Sequence, residues 1–478
     1  MGCSINDKKE PEKEEKEESK MENELPNYSS SNNKFYFYSY GAPGTDGITA
    51  TEEKIELYAQ AGFNKYMFFG ANEAKSNNQA WDASHRAINA ENAFKYGFES
   101  IIIRDERLKE IAIGNALGDN DDVWLKEQVI TSLGNYIDKK TADGKYIISG
   151  VDIGDEPQGK RLNSYTRTYK MIKKVAAENF GRADLPIYVC LLPAYGGLEL
   201  YTPNGTKASE SERYEIYREY VRSYLDATEE TLVACDVYPF MYSKTKGDYF
   251  IEGYYATLKI LSEECRNRGI KVAFVAQAYS SSETYEFRVL NAAEMKLQMN
   301  SIIGFGAKEI GFYRYKAAEG AKNPEAQFVL SDELTKTEIY DLAKSEMETA
   351  RKAEKTILSF DYSASALLGD KNGRYYSNYT AGVINDTFKK IKIKNSANIA
   401  LVTELYDKNN GLYMYMLQNV IDTAYSEEES SRITLTAEFA GYERAAVIRE
   451  GETTLVNLAS GTYSVTLSVG EAVYIIPY

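Results

Sequence analysis

The run Gly150-Val151-Asp152-Ile153-Gly154-Asp155-Glu156-Pro157 carries the residues best suited to chemistry in this chain. Asp155 and Glu156 are adjacent carboxylates, and Asp152 stands three residues earlier. Two like charges side by side cannot both ionise freely, so one pKa rises toward the range useful for donating a proton near neutrality. That is the chemistry of a general acid working on an oxygen leaving group, with Glu156 as the donor and Asp155 as the neighbour that tunes it. The same acidic pair before a proline would also serve as a plain helix cap, because carboxylates are favoured at helix N-termini. Position decides between the two readings, and position depends on the surrounding elements.

Those elements alternate. Short apolar, aromatic or β-branched runs occur at 35–40, 66–69, 100–103, 146–153, 187–192, 232–238, 272–276 and 309–313. Between them lie stretches with helical periodicity, among them 51–61, 162–177, 210–225, 254–268 and 292–305. Strands that alternate with helices pair in parallel. Eight such units predict an α/β fold, a (β/α)8 TIM barrel, with Glu156 at the end of strand four. An open doubly wound sheet is the competitor, but Gly41-Ala42-Pro43-Gly44 lacks the spacing of a dinucleotide-binding loop. After a helix at 335–356 the period changes. Short strands at 400–404, 412–417, 433–439, 445–449, 463–467 and 472–476, parted by turn residues, predict a small C-terminal antiparallel β-sandwich. The expected domains are therefore a tail at 1–33, a barrel at 34–357 and a sandwich at 358–478.

Composition narrows the chemistry. A net charge of −15 argues against nucleic acid as a partner, since phosphate binding needs clustered cations. One His and four Cys without short paired spacing argue against a metal site or a disulfide framework. No metal or other cofactor is expected, and carboxylates are the default for any activity. Function in such a barrel gathers at the C-terminal ends of the strands. Those ends supply Tyr40, Asn72, Glu73, Arg104, Asp105, Asp152, Tyr195, Asp236, Tyr238, Gln277, Tyr279 and Tyr313. Asp236 and Tyr238, two apart on one strand, share a face. Both are candidate substrate contacts, as are Asp152, Gln277, Tyr40, Asn72, Tyr195 and Tyr313. Arg104 and Asp105 read better as a structural ion pair. His85 reads as a surface residue and Trp81 as a packing residue.

The strand-four Glu before Pro resembles the Asn-Glu-Pro element of the large clan of barrel glycoside hydrolases, with Asp155 in place of Asn. That resemblance implies Glu156 as acid/base in a retaining glycosidase. The clan's second Glu ends strand seven as nucleophile, whereas Gln277 stands there in this sequence, and Glu283 and Glu286 follow only in the next loop. The Asp155-Glu156 pair is also similar to that of barrel β-N-acetylhexosaminidases. There the substrate's own 2-acetamido oxygen attacks, Asp orients it and Glu protonates the leaving group. The likeness implies an oligo- or polysaccharide substrate. The alternative is an inactive barrel that only binds carbohydrate at a surface.

The tail is rich in Lys and Glu from Lys8 to Lys20 and buries too little to fold. Met1-Gly2-Cys3-Ser4 resembles the end of a bacterial lipoprotein signal, which implies lipid attachment at Cys3 and an extracellular, cell-surface location. A myristoylation motif is the rival, but it requires Ser or Thr where Asn6 stands. The membrane is then a partner only through the lipid, with the tail as tether.

Overall fold

The computed structural model describes residues 34–44, 49–69, 85–114, 121–206, 209–245, 247–280, 286–369, 388–393, 399–421 and 431–478. Cys3, Asn72, Glu73, Trp81 and Glu283 lie outside these residues, and with them the readings placed there.

Eight parallel strands form the barrel. They are β1 (Tyr36–Ser39), β2 (Lys65–Phe69), β3 (Ser100–Arg104), β4 (Gly150–Asp155), β5 (Ile187–Leu191), β6 (Leu232–Val237), β7 (Lys271–Gln277) and β8 (Glu309–Tyr313). Their order runs β1-β8-β7-β6-β5-β4-β3-β2. The seam between β1 and β2 is fastened by Asn64. Its backbone N–H donates to the Phe37 carbonyl at 3.1 Å, its Oδ1 accepts from the Phe37 N–H at 2.8 Å, and its Nδ2 donates to the Phe35 carbonyl at 2.8 Å. A side-chain amide copies the ladder where strand pairing stops.

The strand residues divide by alternation. Outward ones such as Ile101, Ile103, Val151, Val233 and Phe274 join the core beneath the helices. Inward ones form a separate cluster that includes Tyr38, Met67, Ile102, Tyr188, Cys190 and Val275. Large inward rings need small partners across the barrel. A Cβ at Gly311 would lie 2.7 Å from the Tyr38 ring, and one at Gly150 2.7 Å from the Tyr188 ring. At the N-terminal end the barrel is plugged by the buried Lys65–Glu309 ion pair, with Lys65 Nζ also donating to Tyr188 Oη at 2.7 Å.

The longer helices are α1 (Glu52–Gln60), α2 (His85–Lys95), α3 (Glu106–Ala112), α4 (Asp122–Leu133), α5 (Leu162–Phe180), α6 (Arg213–Ala227), α7 (Tyr254–Arg268), α8 (Ala292–Gly304) and α9 (Glu338–Lys352). Asn291 and Glu294 close a capping box on α8, and Gly181 and Gly269 end α5 and α7 in the left-handed conformation. Strand four begins later than its apolar run implies. Tyr146 is drawn into a turn beneath the cations of Lys140 and Arg182, 4.5 and 3.9 Å from its ring centre.

Beyond a short helical turn ending at Ile357, nine antiparallel strands follow among the described residues: β9 (Asp361–Leu368), β10 (Phe388–Ile393), β11 (Ala400–Asp407), β12 (Leu412–Asn419), β13 (Ile433–Phe439), β14 (Arg444–Arg449), β15 (Glu452–Asn457), β16 (Thr462–Leu467) and β17 (Ala472–Pro477). They make a six-stranded sheet, β9-β11-β12-β17-β14-β15, and a three-stranded one, β10-β13-β16. Tyr415 and Leu417 face the sandwich interior, while Met414 and Met416 face the barrel and join its core. The Gln418 amide ties the sheet to α8. Its Oε1 accepts from Ser301 Oγ at 2.9 Å, and its Nε2 donates to the Leu297 carbonyl at 2.9 Å.

Candidate active site

The strand-four run meets the mouth through a local irregularity. Asp152 pairs with Tyr188 in β5 but Asp155 pairs with Cys190, so the β4 strand carries one extra residue between them. Gly154 takes φ +148°, and a Cβ there would lie 2.5 Å from Tyr165 Oη, so the position requires glycine. Without the bulge, alternation would send Asp155 to the face opposite Asp152. With it, both point toward the barrel opening. Glu156 then adopts φ +49°, rare for a side chain of its size, while its N–H donates to the Cys190 carbonyl at 2.8 Å. The strained backbone turns the next carboxylate toward the same opening instead of into the helix layer.

Three carboxylates and one arginine are arranged around this turn. Asp152 is buried, takes Arg104 Nε on its Oδ2 at 2.7 Å and accepts the Gly154 N–H on its Oδ1 at 2.9 Å. Asp155 is exposed, 3.9 Å from Arg104 Nη2. Arg104 thus pairs with Asp152 and Asp155, not with Asp105. Asp105 instead caps α3 by accepting the Leu108 N–H at 3.0 Å and also accepts from the Ser132 and Tyr136 hydroxyls. The expected Arg104–Asp105 pair is therefore corrected: residue 105 points away from the mouth into the helix layer.

Glu156 hydrogen-bonds to Asp236 at the end of β6. Withdrawal from water, and then the charge of Asp155, push the Glu156 carboxyl up to about 7, against a smaller lowering by the bond to Asp236. Asp236 is 8% exposed, and burial followed by the charges of Glu156 and Asp155 raises it well above the usual carboxylate range. The hydrogen bond couples the two carboxyls, so the titration belongs to the pair. Glu156 is exposed as a residue while its carboxyl is turned in against Asp236, which is buried. Sequence reasoning gave Asp236 only a substrate-binding role. Its partnership with Glu156 depends on two strand ends that are not neighbours in the barrel, which no local spacing reveals.

Aromatic rings line the mouth. Tyr313 lies 6.3 Å from Tyr40, 6.0 Å from Tyr238 and 5.2 Å from Tyr279, ring centre to ring centre. Phe287 extends the group, 5.5 Å from Tyr238 and 6.1 Å from Tyr279. Phe287 comes from a two-residue strand, Glu286–Phe287, that pairs with Phe240–Ser243, which in turn pairs with Gly247–Phe250. This small sheet has no sequence signature beyond short aromatic-bearing runs after β6 and β7. Tyr40 also lies over Arg104, 5.8 Å from ring centre to guanidinium. Tyr195 accepts the Tyr238 N–H on its Oη at 2.7 Å, so it braces the tip of β6.

Gln277 does not face the mouth. It is fully buried, and its amide is engaged with the backbone of the small sheet's connections: Oε1 accepts from the Phe240 N–H at 3.0 Å, and Nε2 donates to the carbonyls of Phe240 at 3.0 Å and Arg288 at 3.2 Å. The expectation that Gln277 touches substrate is corrected on this ground. The side chain fastens the covering loops to the barrel. The chemistry available to the site is thus proton transfer from a carboxyl pair beside a third carboxylate, against an aromatic wall.

No protein-family model matches the chain, and no curated protein matches it. Solved structures similar to it include a GH27 β-L-arabinopyranosidase from Geobacillus stearothermophilus (11% identity, 94% of this chain and 96% of that one, TM-score 0.47). Others are a GH30 endoxylanase from Clostridium papyrosolvens C71 (9%, 94% and 97%, 0.43) and an endo-β-1,4-mannanase from Thermotoga petrophila (11%, 93% and 98%, 0.42). At these identities and scores the likeness decides nothing about chemistry, which rests on the residues of the site.

Proposed function

We propose that the protein is a glycoside hydrolase in which Glu156 protonates the departing glycosidic oxygen. The observation that carries this reading is the Glu156–Asp236 pair, a carboxyl raised to about 7 at the open end of the barrel beside the charge of Asp155. A donor with that pKa keeps its proton near neutrality yet gives it up readily. The half-buried rings of Tyr238 and Tyr313, backed by the buried Tyr40, suit the apolar face of a sugar, and the neighbouring carboxylates suit its hydroxyls.

Within that reaction, the Gln277 position at the end of β7 offers no nucleophile. This favours a retaining route in which the substrate's 2-acetamido oxygen attacks the anomeric carbon while Glu156 transfers its proton to the leaving oxygen. Asp155 orients the acetamido group. Water then opens the cyclic intermediate, returning a proton to Glu156. A pure binding protein is the second reading, favoured by the same Gln277. Glu156→Gln separates the two. A hydrolase loses about 10²–10⁴ in kcat on aryl 2-acetamido glycosides while still binding them. If the parent protein turns over neither 2-acetamido nor plain glycosides yet binds them, hydrolysis is excluded. Cleavage of plain glycosides alone excludes the acetamido route. On the same reading the protein is a cell-surface lipoprotein held through Cys3, which mass analysis of the membrane-extracted N-terminus would test.

A further inference from the structure

A concave site lies at the opposite end of the barrel from Glu156. It is a crevice of about 410 Å³ between the N-terminal ends of β7 and β8, the end of α7 and the near edge of the sandwich. Four cations line it: Arg266 from α7, Lys271 opening β7, Lys308 just before β8, and Lys408 from the turn between β11 and β12. The one carboxylate in the lining is Asp361, paired with Lys308 at 3.0 Å. The crevice therefore carries an excess of three positive charges, in a chain whose net charge is −15.

This excess has an energetic cost. Lys308 is 6% exposed, and its Nζ donates hydrogen bonds to the carbonyls of Phe360 and Leu358 while pairing with Asp361. Burial, reinforced by the charge of Lys271, pushes its ammonium below the usual range despite Asp361. Like charges gathered around one concavity repel, and low-dielectric walls concentrate their field. Folding would not need this arrangement, since Lys271 and Lys408 are exposed and have room to be any polar residue. One wall is apolar, formed by the stacked rings of Phe305 and Tyr362, with centres 5.2 Å apart, and by the half-buried Tyr406.

We propose that this crevice binds a doubly charged oxyanion, a sulfate or phosphate group, either free or borne on a sugar whose ring rests on the Tyr362–Tyr406 wall. Two negative charges answer the excess better than one carboxylate, and tetrahedral oxygens accept from cations arriving from three sides. The volume admits the anion together with a sugar ring. The site is independent of the chemistry assigned to Glu156.

The test is calorimetric titration of the full chain with sodium sulfate and with sodium phosphate, against sodium chloride at equal ionic strength. We expect saturable one-to-one binding of at least one dianion with a Kd below about 1 mM. Lys271→Gln/Lys408→Gln, in which both replaced side chains are exposed, weakens it at least tenfold. A parallel titration with galactose 6-sulfate and galactose 6-phosphate identifies the source, since tighter binding than the free ion assigns a sugar-borne group and equal binding assigns the free ion. Heats no greater than those of chloride overturn the proposal. So does a double variant that titrates like the parent. Should the double variant melt early in chloride, Lys408→Gln alone is used, with a threefold or greater loss expected and an unchanged Kd overturning the proposal.

Discussion

Asp155→Asn tests how Glu156 comes to hold a proton. Burial is the larger cause of the raised value and survives the substitution, while the charge of Asp155 is the second cause and does not. Two unit charges on neighbouring residues, taken at a representative ~5 Å and an effective dielectric constant of ~40, interact by about 1.7 kcal/mol, or roughly 1.2 pH units. At that range ordinary salt screens little. Loss of Asp155 also leaves Arg104, 3.9 Å from it, less neutralised, which favours the ionised Glu156 still further. The sign follows directly. The donor works when protonated, so kcat/KM is full below its pKa and falls tenfold per pH unit above it. The alkaline limb should therefore move from about 7 in the parent to roughly 6 in Asp155→Asn, on a plateau that is itself lowered because Asp155 also orients the acetamido group. The assay is kcat/KM against pH on an aryl glycoside, with Glu156→Gln as the control that should lack this limb. A limb that stays at 7 or moves to higher pH would refute the argument that the carboxylate pair tunes the acid.

Three further outcomes follow from the same contacts. Gln277→Glu places an acceptor against the Phe240 and Arg288 carbonyls, so it should cost about 2–4 kcal/mol in urea unfolding and gain no turnover; an unaltered midpoint or faster hydrolysis would contradict the structural role. Arg104→Met strands the buried charge of Asp152 and should cost about 3–5 kcal/mol, most of it recovered in Arg104→Met/Asp152→Asn; a double variant no more stable than the single one rules this out. Gly154→Ala meets both the +148° φ and Tyr165 Oη, so it should lower the melting temperature and shift the pH profile together, the second because Asp155 is displaced. Loss of stability with an unshifted profile would separate the bulge from the site.

Much of the barrel was legible because periodicity is a local property. The run at 309–313 and the helix at 254–268 coincide with β8 and α7, and the other barrel strands differ chiefly at their ends. Glu156 was legible for the same reason, since adjacent charges and a following proline are local signals. What escaped notice depended on distant segments. Asp236 meets Glu156 across two strand ends, and Arg104 prefers Asp152 to its own neighbour because the barrel interior brings β3 beside β4. Gln277 looked like a mouth residue because it ends a strand, but loops folding over β7 claim its amide. The bulge was hinted at by Gly154 alone, and a glycine near a strand end has several explanations.

The way Met414 and Met416 project out of the sandwich bears on the chain's architecture as a whole. One sheet surface serves two hydrophobic interiors, so the C-terminal region is not an appendage on a linker. Cutting at Ile357 would lay bare an oily flank of the barrel, including Phe305 and the last turns of α8, and would leave the Leu297 carbonyl without its Gln418 donor. Met414 and Met416 on one face of β12 and Tyr415 and Leu417 on the other make a single strand the common wall of both cores.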